Sequence, residues 1–349
     1  MVDQEKLNQL MNKVMGDFAG AMSAVLVRVG EQTGLFKALA QGAASSAQLA
    51  QRSGKAERYV REWLAAMAAS GYVTYHPEGK AFSLNPEQAA IFAEEGTPYY
   101  LPPFTEVLMA AVHDEPKVTE AFSSGKGIPW GDHHVCLFCG TERFFRPGYA
   151  AFLVEQWLPA LDGVVEKLKA GAKVADIGCG HGSSTVLMAK AFPKSTFFGF
   201  DFHAPSIETA RKRAKEAGVA NVSFEVAAAK SFPGSGYDLA TIFDALHDMG
   251  DPVGAARHVK AALKPDGTWM VVEPLAGDKL EDNLHTLGQI FYGASTCICT
   301  PASLSQEVGL ALGAQAGEAR LSAVIKDGGF AHVRRAAETP TNMVLEARP

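Results

Sequence analysis

The stretch Val174-Ala175-Asp176-Ile177-Gly178-Cys179-Gly180-His181-Gly182 decides the fold. A short apolar run ends in glycines at alternate positions and passes into the helical pattern Ser183–Ala191. Glycines at a strand-to-helix turn let the backbone approach a ligand without a Cβ in the way. The spacing is not the G-x-G-x-x-G of dinucleotide sites, and no phosphate-loop lysine follows. Asp176 precedes the first glycine by two, which disfavours a pyrophosphate and suits a ligand carrying ammonium, sulfonium and hydroxyl groups.

Outward from this motif, strand and helix patterns alternate, the signature of a parallel sheet covered on both faces. Strands are expected at Lys173–Ile177, Thr196–Asp201, 222–227, Tyr237–Phe243 and 267–273, with helices at Ser183–Ala191, 204–217 and 252–263. An interruption at about 275–317 precedes a last helix and strands His332–Glu338 and 342–347. Interruptions of this length inside a compact domain are usually functional. The second strand ends in Asp201, where an acid can accept both hydroxyls of a ribose.

At these residues the sequence resembles the class I S-adenosylmethionine methyltransferases. DIGCGHG matches their glycine motif and Asp201 their ribose acid; Tyr237–Phe243 with Asp244 to His247 matches the fourth strand, and Leu263 to Gly267 the turn before the fifth. The resemblance implies an α/β, Rossmann-like, seven-stranded sheet in the order 3-2-1-4-5-7-6, the last strand antiparallel. It implies S-adenosyl-L-methionine held by Asp176, Gly178, Gly180, Asp201, Phe202, Phe243 and Asp244. Many members also place an acid near Ala228 for the adenine amino group; here the backbone of Ala228 and Ala229 must serve.

Before the sheet, residues 1–95 read as helices at 22–39, at the Ser45-capped segment and at 57–70, followed by a hairpin around His76 to Lys80. That is the order of a winged helix, and with the Cys299 to Gln306 segment it narrows the resemblance to bacterial small-molecule methyltransferases joining both parts. Residues 96–166 read as a helical connector with helices at 104–112 and 149–161, and residues 167–349 as the methyltransferase domain with its lid insertion at 275–317.

His247-Asp248, just past the fourth strand, is the candidate for chemistry. LHDMGD is similar to the segment of plant-type O-methyltransferases whose histidine takes the acceptor's proton; His247 is either that base or a positioning residue. His133 and His134 sit in a segment with Cys136 and Cys139 that either contacts substrate or is a plain loop. No metal is expected there, because only pairs of ligands have suitable spacing unless Cys297 and Cys299 join them. Arg143, Arg146 or Tyr149 is a candidate to fix the cofactor carboxylate or an acidic acceptor, and Tyr292 to line the acceptor side.

Net charge is −6 over 349 residues, and residues 1–95 hold nine Lys/Arg against ten Asp/Glu, so no basic face for nucleic acid is expected. The rival reading, a winged-helix regulator sensing a ligand, lacks that face. Five cysteines suit reduced thiols, and no leader or membrane-length apolar run is apparent, so the expectation is a cytoplasmic enzyme. Met11, Val14, Met15, Phe18, Met22, Val25 and Leu26 exceed what one small domain can bury, which predicts a homodimer.

Overall fold

The computed structural model describes residues 1–349. Two compact units emerge: residues 1–109 with 139–147, and residues 110–138 with 148–349. The division crosses the helices Phe104–Ser124 and Cys136–Phe152 instead of falling at residue 95.

In the first unit, helix Gln4–Thr33 is capped by Asp3 and stopped by Gly34, whose φ of +73° only glycine adopts at no steric cost. The helix expected at 22–39 is therefore the end of a longer helix plus the separate turn Leu35–Leu39. Ser45 and Gln48 form a reciprocal capping box on helix Ser46–Ser53. Helix Glu57–Ala69 buries Val60, Trp63, Leu64 and Met67 at 3.6-residue spacing against Phe36, Leu39 and Leu49. Strands β1 (Thr74–His76) and β2 (Ala81–Ser83) make the wing.

Residues 1–22 are exposed throughout, including Leu7, Leu10, Met11, Val14, Met15, Phe18 and Met22. Helix Gln4–Thr33 is long and apolar enough to cross a membrane by length and composition alone, although charged residues such as Lys13 and Asp17 interrupt its apolar run. Its apolar residues recur at three- and four-residue steps along one side, while Lys13 and Asp17 pair on the helix surface at 2.9 Å.

The second unit is built on a seven-stranded sheet: β3 (Lys173–Ile177), β4 (Thr196–Asp201), β5 (Val222–Val226), β6 (Tyr237–Phe243), β7 (Leu263–Pro274), β8 (His332–Glu338) and β9 (Asn342–Arg348). Their spatial order is β5-β4-β3-β6-β7-β9-β8, with β9 antiparallel to both neighbours and all other pairs parallel. This is the expected order. Strands flanked on both faces bury apolar side chains on both, which is why β6 and β7 read as near-continuous apolar runs. Ala175, Ile177, Ile242, Trp269, Val271 and Leu345 are buried in the core with Ala256, Val259, Leu321 and Ile325 from the covering helices.

Outside the sheet two expectations change. The 128–146 segment is a loop only to Val135; helix Cys136–Phe152 then runs through Pro147 into a π turn at Leu153–Trp157. The 275–317 interruption contains helix Thr286–Ala294, a second π turn at Ser295–Cys299 and helix Thr300–Leu304.

Candidate functional site

The carboxyl ends of β3, β4 and β6 carry the glycine turn and three acids, at the switch point where open α/β sheets bind ligands. Gly178, Gly180 and Gly182 all have positive φ. They differ in what a side chain there would meet. A Cβ on Gly182 would strike Phe224 and Ala210 at under 3 Å, and one on Gly178 would touch Ala245, so these two allow packing. A Cβ on Gly180 would meet nothing, so this glycine opens onto a cradle.

Asp201 shapes that cradle. Its Oδ2 accepts from the Gly180 N–H at 2.9 Å and its Oδ1 from the His203 N–H at 2.8 Å, while burial raises its pKa. Phe202 beside it is 54% exposed, which leaves its ring open to a ligand at this edge. Val226 pairs with Asp201 across the β4–β5 ladder, which brings Ala228 and Ala229 near the same edge.

Three expected contacts take another role. Asp176 is fully buried, its carboxylate engaged by the hydroxyls of Ser184 (2.8 Å), Thr185 (2.6 Å) and Thr241 (2.9 Å). It ties β3, the following helix and β6 together behind the glycine turn, and burial raises it to about 6. Phe243 packs its ring on Tyr149 and Trp157. The Tyr149 hydroxyl donates to Asp244 Oδ2 at 2.8 Å and Asn342 donates to Oδ1 at 2.7 Å. Asp244 sits at φ +48°, and burial followed by the Glu273 charge lifts it to about 7.

Beyond β6 lies a buried polar cluster. The Glu273 carboxylate at the end of β7 accepts from the Leu246 N–H at 2.8 Å and from His247 Nδ1, while His247 Nε2 faces Asp248 Oδ1 at 3.2 Å. Burial alone would lower the His247 pKa, but the charges of Glu273 and Asp248 override it and raise it well above its ordinary value. The Cys299 sulfur lies within 4.8 Å of a His247 ring nitrogen and an Asp248 carboxylate oxygen, and burial pushes its thiol up to about 12. Glu273 was not foreseen as a site residue, and Cys299 entered the sequence reading only as a conditional metal ligand for the 133–139 segment.

The insertion is fastened to this cluster. Gln306 donates to the Asp248 carbonyl at 2.9 Å and accepts from the Gly250 N–H at 3.1 Å, and the Ser303 hydroxyl donates to the Met249 carbonyl at 2.8 Å. The Ile128 N–H donates to the Pro301 carbonyl at 2.9 Å, so the 128 segment and the insertion meet.

His133 belongs to a second carboxylate–imidazole pair. Its Nδ1 lies 3.1 Å from Asp114 Oδ2, which also accepts the His134 N–H at 2.8 Å. Burial lowers the His133 pKa, against the pull of Asp114; Asp114 itself is held below the usual range by these donors and Lys117 despite its own burial. The His134 ring packs against that of His113, centroids 4.2 Å apart and tilted by 41°. Tyr292 is half-buried on helix Thr286–Ala294, ahead of the π turn that carries Cys299.

The two arginines are engaged elsewhere. Arg143 pairs with Glu31 and, at 2.5 Å, with Glu106, all within the first unit. These nearly buried carboxylates account for the guanidinium, so it is not available to a cofactor carboxylate. Arg146 is half-exposed and lies 3.6 Å from Glu142 on its own helix.

Two family models match the chain: a methyltransferase domain over residues 168–312 and an Rv2258c-like winged HTH domain over residues 21–94. Over 104 residues the chain is 33% identical to ubiquinone biosynthesis O-methyltransferase of Actinobacillus pleuropneumoniae (28% of this chain, 43% of that protein). It is 32% identical over 127 residues to trans-aconitate 2-methyltransferase of Paracidovorax citrulli (36% and 48%). The match thus spans less than half the length of these relatives. Among solved structures, human N-acetylserotonin methyltransferase in complex with S-adenosylmethionine superposes with a TM-score of 0.69 at 18% identity, over 97% of each chain. Mitomycin 7-O-methyltransferase gives 0.68 at 19% identity, over 99% of this chain and all of the other.

The donor set fits the cofactor of that family: a cradle in front of Gly180, a ribose-height acid in Asp201 and an exposed ring in Phe202. The chain thus carries a methyltransferase domain at residues 168–312 behind an Rv2258c-like winged helix-turn-helix domain at residues 21–94, and it shares the fold of solved S-adenosylmethionine-dependent methyltransferases.

Proposed function

We propose that this protein methylates a hydroxyl group of a small-molecule acceptor, with His247 as the base. One observation carries the reading: the Glu273–His247–Asp248 chain at the carboxyl ends of β6 and β7, with Glu273 and His247 buried and Asp248 half-buried. When bound, S-adenosylmethionine supplies a methyl group on an already activated sulfonium, so the protein's part is alignment, exclusion of water and removal of the acceptor proton. Glu273 holds the Nδ1 proton of His247 and aims Nε2 away from β7. Glu273 and Asp248 hold the ring protonated in the cofactor-free protein, so this reading requires the positive charge of the bound sulfonium to favour loss of that proton before His247 acts as a base. Asp201, Gly178, Gly180, Phe202 and the backbone at Ala228 and Ala229 hold the cofactor, while Asp176 and Asp244 brace the turn and strand end. His133, His134 and Tyr292 are the acceptor-side residues, and residues 275–317 the cover.

Asp201 provides the direct test of the cofactor site. Asp201→Ala should weaken S-adenosylmethionine binding by about 1–3 kcal/mol, roughly 5- to 150-fold in Kd, the range for a charge-assisted hydrogen bond. Calorimetry giving an unchanged Kd would remove Asp201 from the site.

The exposed stripe of helix Gln4–Thr33 supports a homodimer in which a second copy covers Leu7, Met11, Val14, Phe18 and Met22. Sedimentation at micromolar concentration should give twice the chain mass, and Phe18→Glu with Met22→Glu should give the single chain. A wild-type monomer, or recovery of the protein with membranes only, would refute the dimer. A DNA-binding role is less well supported, since Arg58 and Arg61 on helix Glu57–Ala69 are paired with Glu62 and Glu57 at 2.6 Å.

A further inference from the structure

His247, Asp248 and Cys299 bring a ring nitrogen, a carboxylate oxygen and a sulfur within 4.8 Å of one another, with His247 and Cys299 buried. Such a trio needs no ion, but two further observations point to a ligand. Asp248 Oδ1, facing the imidazole at 3.2 Å, is buried and makes no well-directed hydrogen bond. The Nε2 of His133, a residue only 6% exposed, is also buried without a hydrogen-bond partner, and it lies near enough to Asp248 for each to feel the other's charge.

Both imidazoles are oriented alike. His247 carries Glu273 on Nδ1 and His133 carries Asp114 on Nδ1, leaving each Nε2 for another partner. Metal-bound histidines are nearly always held by a carboxylate or carbonyl on the far nitrogen in this way. The mixture of imidazole, carboxylate and thiol suits a borderline-soft divalent ion better than magnesium or calcium, which take oxygen ligands. A tetrahedral ion with bonds of about 2.0–2.3 Å separates its ligands by roughly 3.3–3.8 Å, so the trio, whose atoms lie within 4.8 Å of one another, has to draw in by about 1.5 Å at most.

We propose that His247, Asp248 and Cys299 form a binding site for a zinc-class divalent cation, with His133 as the candidate fourth ligand. Binding releases the Cys299 thiol proton and any proton on His247 Nε2 to water, leaving thiolate and neutral imidazole on the ion. Because the ion takes Nε2, it blocks that nitrogen from acting as a base, and zinc inhibits methyl transfer. The site itself stands on the cluster's geometry and does not rest on the methyl-transfer reading.

Cobalt(II) is the probe, added to the purified full-length protein without cofactor or acceptor. The expected result is a thiolate-to-cobalt charge-transfer band with the visible bands of a tetrahedral ion, removed by stoichiometric zinc. Cys299→Ser should abolish the charge-transfer band. Asp248→Asn, which keeps the thiol, should weaken cobalt binding by about tenfold or more, and Glu273→Gln by about 10- to 100-fold through the histidine's orientation. Melting curves and S-adenosylmethionine binding report whether each variant is folded. Absence of the band at millimolar cobalt overturns the proposal, as does a band unchanged in both Cys299→Ser and Asp248→Asn, which would assign it to the other four cysteines. A band without any detectable methyl transfer would leave the site standing and the proposed reaction refuted.

Discussion

His247→Gln is expected to lower methyl transfer to a hydroxyl acceptor by about 10²- to 10⁴-fold, the usual contribution of a positioned general base. Its S-adenosylmethionine affinity should stay within about twofold of wild type. The glutamine amide can keep a donor on Glu273, where His247 Nδ1 now sits, while removing the nitrogen that faces Asp248. The loss should therefore appear in kcat with little change in cofactor binding, the pattern of an interaction made in the transition state. Glu273→Gln retains an acceptor for the Leu246 N–H and should lose less, because it frees the ring without deleting it. A His247→Gln enzyme that turns over at the wild-type rate would reduce the histidine to a packing residue.

The sheet was legible because its physics is local. Each parallel strand had to be apolar on both faces and end at a turn, while the order came from the family resemblance that the glycine turn at β3 and the acid at β4 carry. The chemistry at the end of β7 was less legible, although a signal existed. Glu273 closes the otherwise apolar run Trp269 to Val272, and a buried acid requires a partner, which His247, four residues past the end of β6, supplies. Cys299 could not be found from spacing: it reaches His247 only through the π turn Ser295–Cys299, a one-turn deviation with no sequence signature. Arg143 was misread for a related reason. Its partners Glu31 and Glu106 lie far away in sequence, and an arginine read without them looks available for an anionic ligand. Asp176 shows the same limit from the other side, since its proximity to the glycine turn suggested contact and its burial among three hydroxyls gives support.

Asp244 should make the cofactor-free protein less stable as pH rises from about 4 to about 7. A carboxyl raised by burial to about 7 from its ordinary 3.8 binds its proton more tightly folded than unfolded. The sign is then opposite to that of a salt-bridged aspartate. Stability associated with the protonated carboxyl is present at low pH and lost as pH climbs through this window, with about 1.4 kcal/mol per pH unit as the upper limit. Other groups titrate in the same range, so the quantity that isolates Asp244 is the difference between wild type and Asp244→Asn. The asparagine imposes a fixed hydrogen-bonding change on Tyr149 and Asn342, whose side chains both donate to the acid now. It also removes the buried charge, and only that part varies with pH. Denaturant melts of both proteins at intervals from pH 4 to 8 should show the variant gaining on wild type by several kcal/mol towards the alkaline end. A difference that stays flat across the window would mean that Asp244 ionises freely and that Tyr149 and Asn342 stabilise the carboxylate outright.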